Sequence, residues 1–497
     1  MTILTRENWL ARATQVTPRT QAFIDGQFVD ALSGKTFEDV SPRDGCVIAH
    51  VAECDQDDID RAVTAARRAF EDGRWSSQDP AARKRVLLKL AELIRDHLEE
   101  LALLETLDVG KPISDSLAVD VPFAANCFQW YAETIDKTYD EIAPRRTSAL
   151  ALITREPMGV VGAVVPWNYP LIISAWKLAP ALATGNSVVL KPAEQSPLTA
   201  LRLAELAMEA GLPPGVLNVV PGYGPTAGAA LGRHMEVDKL TFTGSTEVGK
   251  LFLRYASESN MKAVSLECGG KSPQIVLADA PDLDAAASGI AWGIFYNQGE
   301  TCHAGSRVLV ERPIREALIE KVRQVAGTIT LADPLDPGAK IGAIVDKTQM
   351  ERILYYITQG TQEGAQIRLG GTRVMVETGG YYISPTIFAG VRHQMSIARE
   401  EIFGPVLSVI DFDTPEEAVR IANDTHYGLA ASVWTQNITT AHRMARALRA
   451  GTVWINCFDV SDLTVPFGGF KQSGTGRDKS LHALEQYTQL KTTWIQL

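Results

Sequence analysis

Short apolar segments alternate with helical segments between residues 153 and 243, and this pattern constrains the fold more than any other. Strands that are buried on both faces appear as nearly continuous apolar runs, and helical crossovers between them are typical of a parallel, doubly wound sheet. The sequence therefore predicts an α/β protein, with a clear helix over residues 198–210. The buried strands are expected at residues 160–165, 187–190, 216–220 and 239–243.

A second series of strands and helices follows, from residue 274 to about residue 473. Upstream of both series, the sequence predicts a hairpin over 21–37 with an Asp-Gly turn, and helices over 57–73 and 82–108. The last residues, 489–497, indicate an apolar strand with an open edge, so we expect a neighbouring subunit to cover it. The second series predicts strands at 274–277, 307–310, 406–411 and 452–456, and a helix at 415–423.

The charge balance disfavours several classes of partner. The chain has 48 basic and 59 acidic residues and a net charge of −11, which disfavours nucleic acids and anionic membranes. The uncharged stretch 158–176 has about the length of a membrane span, but Pro166 and Pro170 interrupt it. We therefore predict a strand, a tight loop and a helix from about residue 171, and no membrane partner.

The cysteines point to a reducing environment. Six are scattered over 497 residues without a C-x-x-C pair or a histidine cluster, so the sequence predicts neither a metal site nor a disulfide framework. The segment 1–15 lacks the apolar core of a secretory signal. Both observations favour a cytoplasmic location.

Cys302 is the strongest candidate for a catalytic residue. It lies between Gly299 and Gly305, ahead of a strand-like run, and a thiolate is a strong nucleophile. A single cysteine is most often a small core residue, but Glu267 lies 35 residues upstream, near a pair of glycines. A thiol and a carboxylate that activates water suit chemistry that forms a thioester and then hydrolyses it. His303 is not expected to pair with Cys302, because adjacent residues of an extended chain point to opposite faces.

Two glycine-rich turns compete for the role of a phosphate-binding loop. Residues 222–228 and residues 244–249 both follow a predicted strand and open a helix, whose free N–H groups favour a pyrophosphate. Lys191 and Glu194 follow a third strand, at the position where open α/β sheets bind ligands, and could hydrogen-bond ribose hydroxyls. A carboxylate near the adenosine ribose repels a 2′-phosphate, so NAD is the expected cofactor, with NADP as the alternative.

Seven stretches, taken in order, resemble the NAD(P)-dependent aldehyde dehydrogenase superfamily over nearly the full chain. Residues 470–485 resemble one branch in particular, which includes bacterial γ-glutamyl-γ-aminobutyraldehyde and 4-guanidinobutyraldehyde dehydrogenases. The matching stretches are 166–170, 191–194, 242–246, 267–271, the segment around Cys302, 401–405 and 466–469.

The resemblance implies the aldehyde dehydrogenase fold, which combines a Rossmann-like cofactor domain, an α/β catalytic domain and a small β oligomerisation arm. Residues 1–137 and 154–266 would form the NAD-binding domain, and residues 267–478 the catalytic domain. Residues 138–153 and 479–497 would form the oligomerisation element of a homodimer or homotetramer.

The resemblance also implies a role for each matched residue. Cys302 would be the nucleophile, Glu267 the base that activates the deacylating water, and Asn168 a donor to the oxyanion. Cys268 replaces a usual leucine and is expected to be packed and inert, and Asp478 replaces a glutamate of a proposed proton relay. The predicted cofactor-binding residues are Pro166, Trp167, Lys177, Lys191, Glu194, Gly224, Gly244, Ser245, Gly269, Glu401 and Phe403.

The substrate pocket is predicted from residues that match the aldehyde tunnel of relatives and from acidic residues at its entrance. Asp120, Asp459 and Asp462 would attract an ammonium or guanidinium group, which predicts an ω-amino, γ-glutamylamino or guanidino aldehyde from polyamine or arginine breakdown. A betaine-aldehyde-type or broad-specificity dehydrogenase is the alternative, and a cysteine hydrolase without a cofactor is a third class. The predicted substrate-binding residues are Phe123, Tyr169, Trp176, Asp459 and Phe467.

Overall fold

A computed structural model describes residues 4–145 and 147–497, and its largest sheet has eight strands. The five central strands are parallel, as the apolar runs predict, and antiparallel strands flank them on both sides. In spatial order the strands are Gln27–Val29, Ala22–Ile24, Leu217–Val219, Ser187–Lys191, Val160–Val164, Lys239–Gly244, Ala263–Cys268 and Gly474–Thr475.

The hairpin predicted over residues 21–37 is confirmed in its first half. Asp25 and Gly26 both adopt the left-handed conformation, with φ of 53° and 80°, as a two-residue turn between these strands requires. Phe37 belongs instead to a second hairpin, in which Thr36–Val40 pairs with Val47–Ala52. Alternating apolar residues indicate a strand but do not identify the strand with which it pairs.

The helix predicted over residues 82–108 is wrong as a single element. The chain leaves helical geometry at His97 (φ −99°, ψ 24°), where one helix ends and the next begins. The apolar face from which the helix was predicted belongs to the first helix only. The second helix is buried on all sides from Leu101 onward. The helices up to residue 258 are Arg6–Ala13, Gln56–Glu71, Pro80–Asp96, Leu98–Val109, Ile113–Asp115, Val121–Thr134, Pro170–Ala183, Leu198–Glu209, Ala229–Arg233 and Thr246–Glu258.

The uncharged stretch 158–176 forms a strand, a loop and the start of a helix, as predicted. Its strand is Val160–Val164, in the middle of the large sheet, and its helix Pro170–Ala183 is buried throughout except at Trp176. Within the described part of the chain, no helix has both the length and the apolar character that a membrane crossing requires.

The second sheet has seven strands, which are parallel except for one antiparallel strand at an edge. In spatial order they are Gln366–Leu369, Thr386–Ala389, Val406–Phe412, Arg307–Glu311, Pro273–Val276, Ala430–Trp434 and Thr452–Ile455. The helices of this half are Leu283–Phe295, Arg315–Gly327, Lys347–Gln362, Ser396–Arg399, Pro415–Asn423 and Ile438–Ala447.

The C-terminal strand belongs to a small three-stranded sheet. Thr488–Gln496 pairs over nine residues with Ala149–Pro157, which also pairs with Glu141–Ile142. The terminal strand lies at the edge, and its residues are exposed almost throughout. The segments predicted for oligomerisation thus form one element, although Arg146 lies outside the described residues and the domain boundaries stay a prediction.

Candidate active site

A cleft of about 280 Å³ opens where neighbouring strands of the large sheet end. The strands Val160–Val164, Lys239–Gly244 and Ala263–Cys268 are parallel, so their carboxyl ends meet at one edge of the sheet. The other wall comes from the segment around Cys302 and from residues 400–403. Ten predicted site residues line the cleft, namely Pro166, Trp167, Asn168, Gly244, Ser245, Glu267, Gly269, Cys302, Glu401 and Phe403.

Four residues predicted to bind the cofactor do not line this cleft. Lys191, at the end of the next strand, pairs with Glu194 at 2.9 Å, and Gly224 is exposed at the start of a π-helical turn. Lys177 is fully buried, and its Nζ lies 2.6 Å from Oδ2 of Asp478. A buried ammonium needs a counter-charge, and Asp478 supplies it, so the cofactor role of Lys177 stays a prediction.

The cleft distinguishes between the two glycine-rich turns. Residues 244–247 lie in its wall, whereas the described residues of the 222–228 turn do not. Ser245 caps the helix Thr246–Glu258, and its Oγ accepts a hydrogen bond from the N–H of Val248. The N–H groups of this first turn and the positive end of the helix dipole favour an anionic group in the cleft.

Glu401 reaches across the cleft to the end of a central strand. Its Oε1 accepts a hydrogen bond of 3.0 Å from the N–H of Gly270, and a Cβ on Gly269 would collide with its carboxylate. Burial raises the pKa of Glu401 to about 7. Phe403 has left-handed backbone (φ 60°), and its ring packs edge-on against Trp167 at 5.2 Å. A floor without side chains, beside a carboxylate and two rings, fits the ribose and flat ring of a nicotinamide nucleotide.

Cys302 is half-buried and follows a tightly turned segment. Asn297 and Gln298 adopt left-handed conformations (φ 47° and 57°), which reverse the chain after the preceding helix. Asn168 anchors this segment, because its Nδ2 donates a hydrogen bond of 2.8 Å to the carbonyl of Glu300. That bond uses one of the two amide hydrogens of Asn168, and the second is left for an oxyanion in the shared cleft.

His303 departs most from the sequence prediction. Its Nδ1 lies 3.8 Å from Sγ of Cys302, and its Nε2 lies 2.6 Å from Oδ1 of Asp459. The prediction that the two side chains point to opposite faces is wrong, because residues 302–303 lie in a turn and not in an extended segment. Asp459, predicted to face a cationic substrate group, contacts this imidazole, and its role toward the substrate stays a prediction. The adjacency of Cys302 and His303, two titratable residues, was the sequence signal that could have revealed their contact.

Glu267 is buried together with two other charged residues. Its side chain is 5% exposed, and its Oε2 has no hydrogen-bond partner among the described residues. Burial, reinforced by the negative charge of Asp478, raises the pKa of Glu267 well above its usual value, and Lys177 opposes this shift. The protonation of Glu267 therefore depends on the Lys177–Asp478 pair.

Cys268, the second thiol of the cleft, is packed as expected. It is 3% exposed and belongs to an apolar cluster with Leu266 and Phe252. Burial, reinforced by the charge of Glu267, raises the pKa of the Cys268 thiol to about 12. A thiol that stays protonated is a poor nucleophile, so Cys268 competes weakly with Cys302.

Aromatic side chains form a connected wall beside His303. The ring of Trp176 lies 6.3 Å from Phe123 and 5.3 Å from Phe467, and Phe467 lies 5.6 Å from the imidazole. Lys479, which the sequence did not indicate as a site residue, places its Nζ 5.5 Å from the Trp176 ring and 5.6 Å from the Phe467 ring. A single lysine in a loop carries no sequence signal for such a position.

The predicted acidic entrance is only partly present. Asp120 is fully buried and lies 2.7 Å from Nζ of Lys111, so its prediction is wrong. Lys111 lies 4.2 Å from the ring of Tyr169, whose hydroxyl contacts Thr301 Oγ1 at 2.8 Å. A buried carboxylate needs a paired cation, which the sequence spacing did not reveal. Asp462 is exposed.

The fold and the cleft define an α/β enzyme of the dinucleotide-binding class, with a thiol and a carboxyl at the cofactor cleft. The chain belongs to the aldehyde dehydrogenase family, whose model matches residues 28–493. The predicted family and fold class are therefore confirmed.

Individual relatives match almost end to end. The chain is 51% identical over 494 residues to the aminoacetaldehyde dehydrogenase of Pseudomonas aeruginosa, with 99% of both chains covered. It is similar to a solved indole-3-acetaldehyde dehydrogenase in complex with NAD+, with 58% identity, a TM-score of 0.99 and 100% of both chains covered. It is also similar to the γ-glutamyl-γ-aminobutyraldehyde dehydrogenase of Burkholderia cenocepacia, with 58% identity, a TM-score of 0.98, and 99% of this chain and 100% of that chain covered.

Proposed function

We propose that this enzyme oxidises an aldehyde to a carboxylic acid with NAD, through a thiohemiacetal and a thioester on Cys302. The observation that carries the proposal is the position of Cys302, Asn168 and Glu267 in the wall of one cleft. These groups offer a nucleophile, an oxyanion donor and a base, and the reaction needs all three.

Cys302 and Asn168 serve the first half of the reaction. The thiolate of Cys302 forms a bond to the carbonyl carbon, and the carbonyl oxygen becomes an alkoxide. The free amide hydrogen of Asn168 and the N–H of Cys302 would stabilise this charge, and one such donor is worth ~10²–10³ in rate. NAD in the cleft would supply the acceptor for the hydride of the same carbon, and the thioester would remain on Cys302.

Glu267 serves the second half. In its ionised form it takes a proton from a water molecule, which attacks the thioester, releases the acid and returns the Cys302 thiolate. A sulfur atom suits both halves because it attacks readily and also leaves readily.

The residues proposed to bind NAD carry groups that suit its pyrophosphate and its two riboses. Gly244 and Ser245 would lie against the pyrophosphate at the helix N-terminus, and Glu401 would accept hydrogen bonds from the nicotinamide ribose. Lys191 and Glu194 would hold the adenosine ribose, and the Glu194 carboxylate favours NAD over NADP.

The substrate class is an ω-amino, γ-glutamylamino or guanidino aldehyde. The names of two relatives, an aminoacetaldehyde and a γ-glutamyl-γ-aminobutyraldehyde dehydrogenase, support it. A second candidate is an aryl aldehyde, because the wall of Phe123, Trp176 and Phe467 is aromatic and Asp459 is already engaged by His303. The name of the indole-3-acetaldehyde dehydrogenase relative agrees with this candidate.

A substrate panel separates the two candidates. NADH formation is followed for 4-guanidinobutyraldehyde, γ-aminobutyraldehyde, indole-3-acetaldehyde and a neutral aliphatic aldehyde, with Cys302→Ala as the inactive control. The proposal predicts higher kcat/KM for the aldehydes with polar or cationic tails than for the neutral one. A preference for the indole aldehyde establishes the second candidate instead, and no NADH from any aldehyde contradicts the proposed function.

The enzyme is also proposed to form a homo-oligomer in the cytoplasm. The exposed apolar side chains of the edge strand, Leu490 and Trp494, favour a second copy as their cover. All six cysteines are free, which suits a reducing compartment.

A further inference from the structure

We propose that His303 and Asp459 hold the proton of the Cys302 thiol, so that the nucleophile is ionised before aldehyde and cofactor bind. The inference rests on the role proposed above for Cys302, and it adds a group that contacts the reacting sulfur. The three side chains form a chain of contacts, with 3.8 Å from Sγ to Nδ1 and 2.6 Å from Nε2 to the Asp459 carboxylate.

The geometry assigns a separate role to each ring nitrogen of His303. Nε2 can only donate to the carboxylate of Asp459, so in the neutral imidazole Nδ1 is the nitrogen that accepts the proton. A thiol, an imidazole and a carboxylate in this order are the arrangement by which a base activates a nucleophile and a third group orients the base.

The surroundings favour a charged imidazole. Burial opposes the positive charge of His303, but the charge and hydrogen bond of Asp459, together with Cys302, outweigh it and raise the pKa of His303 to about 10. The rings of Trp454, Phe458 and Phe467 surround the imidazole at 6.0, 6.4 and 5.6 Å. An apolar shell of this kind strengthens the attraction between an imidazolium and a thiolate.

Glu267, the other carboxyl near the thiol, is poorly suited to this step. It faces Cys302 from the strand Ala263–Cys268, and burial, reinforced by Asp478, raises its pKa well above the usual value. Its Oε2 has no hydrogen-bond partner among the described residues, whereas Nδ1 of His303 lies 3.8 Å from the thiol sulfur. The structure therefore divides proton handling between His303 for the thiol and Glu267 for the deacylating water.

The proton balance closes over one turnover. The S–H proton moves to Nδ1, and the thiolate attacks the carbonyl carbon while the imidazolium stays paired with Asp459. When the thioester is hydrolysed, the C–S bond breaks and the returning thiolate meets the same imidazolium. His303 thus keeps one proton throughout, and the proton of the deacylating water goes to Glu267.

The test measures alkylation of Cys302 by iodoacetamide, without aldehyde or NAD, between pH 5.5 and 9. The readout is the modified Cys302 peptide by mass spectrometry. Wild type is expected to react at an almost constant rate down to about pH 6, as thiolates paired with histidine do. In His303→Gln, which retains an amide donor near Asp459, the rate at pH 6.5 should fall at least tenfold, and reactivity should rise only toward about pH 8.5, as in free cysteine.

Controls separate the proposal from misfolding and from loss of the proposed function. His442→Gln changes an exposed histidine on the helix Ile438–Ala447 and should leave the profile unchanged. NAD binding and thermal unfolding report folding, and the thiolate absorbance difference from Cys302→Ala gives a second readout. If His303→Gln does not fold, Asp459→Asn decides, and it should also move the profile to higher pH. A folded variant with the wild-type profile overturns the inference, whether or not the enzyme oxidises aldehydes.

Discussion

At the scale of single residues, the amide of Asn168 gives a sharp prediction. Asn168→Ala should lower kcat by ~10²–10³, because the alkoxide loses one of two donors, and should leave the NAD Kd nearly unchanged. Steady-state kinetics and NAD titration by fluorescence measure both quantities. Asn437→Ala, which removes an exposed helix cap far along the chain, serves as the control. An unchanged kcat contradicts the assigned role.

A pH profile tests the buried group of charges around Glu267. Burial and the charge of Asp478 raise the pKa of Glu267. The ionised fraction of Glu267 therefore increases as the pH rises, and the rate of thioester hydrolysis should increase with this fraction. Asp478→Asn removes the negative charge and leaves Lys177 unpaired, so both effects lower the pKa of Glu267. The rise in hydrolysis rate should move to lower pH in single-turnover experiments. A shift to higher pH refutes the electrostatic argument.

The sequence was sufficient to propose residues that have a local sequence signal, and insufficient for residues that meet across the fold. Cys302 and Glu267 could be proposed from their local sequence and resemblance. The contact between His303 and Asp459 joins residues 156 positions apart, and the pair of Lys177 with Asp478 joins residues 301 apart. Local patterns carry no information about such distant partners.

At the scale of elements, the helix Thr246–Glu258 should contribute to cofactor binding through its N-terminus. Ser245→Ala removes the cap on the N–H of Val248, which costs about 1 kcal/mol of stability, and it removes a polar side chain from the cleft wall, so the NAD Kd should rise. Ser257→Ala, near the other end of the same helix, is the matched control. Isothermal titration with NAD measures both, and equal effects of the two variants contradict the assignment.

The parallel strands were predictable because burial on both faces leaves a strong apolar signal. The break at His97 was not, because the residues on both sides of it favour a helix and only tertiary packing separates the two. The partner of Phe37 was missed for a related reason, since strand pairing is decided outside the hairpin pattern.

At the scale of the whole molecule, the edge strand Thr488–Gln496 should hold subunits together. Leu490 and Trp494 are 66% and 57% exposed, although apolar residues at a sheet edge usually meet a partner. The double variant Leu490→Glu and Trp494→Glu should shift the assembly to smaller species in light scattering. Tyr355→Glu, another exposed apolar position, should not. An unchanged mass for the double variant contradicts the proposed interface.

The most direct test of the central claim is to trap the acyl group. Glu267→Gln keeps the size of the side chain but removes the base, so with aldehyde and NAD it should form about one NADH per site and then stop. Mass spectrometry should then find the acyl group on the Cys302 peptide. Continued turnover without an adduct, or an adduct on Cys268 instead, would contradict a thioester mechanism at Cys302.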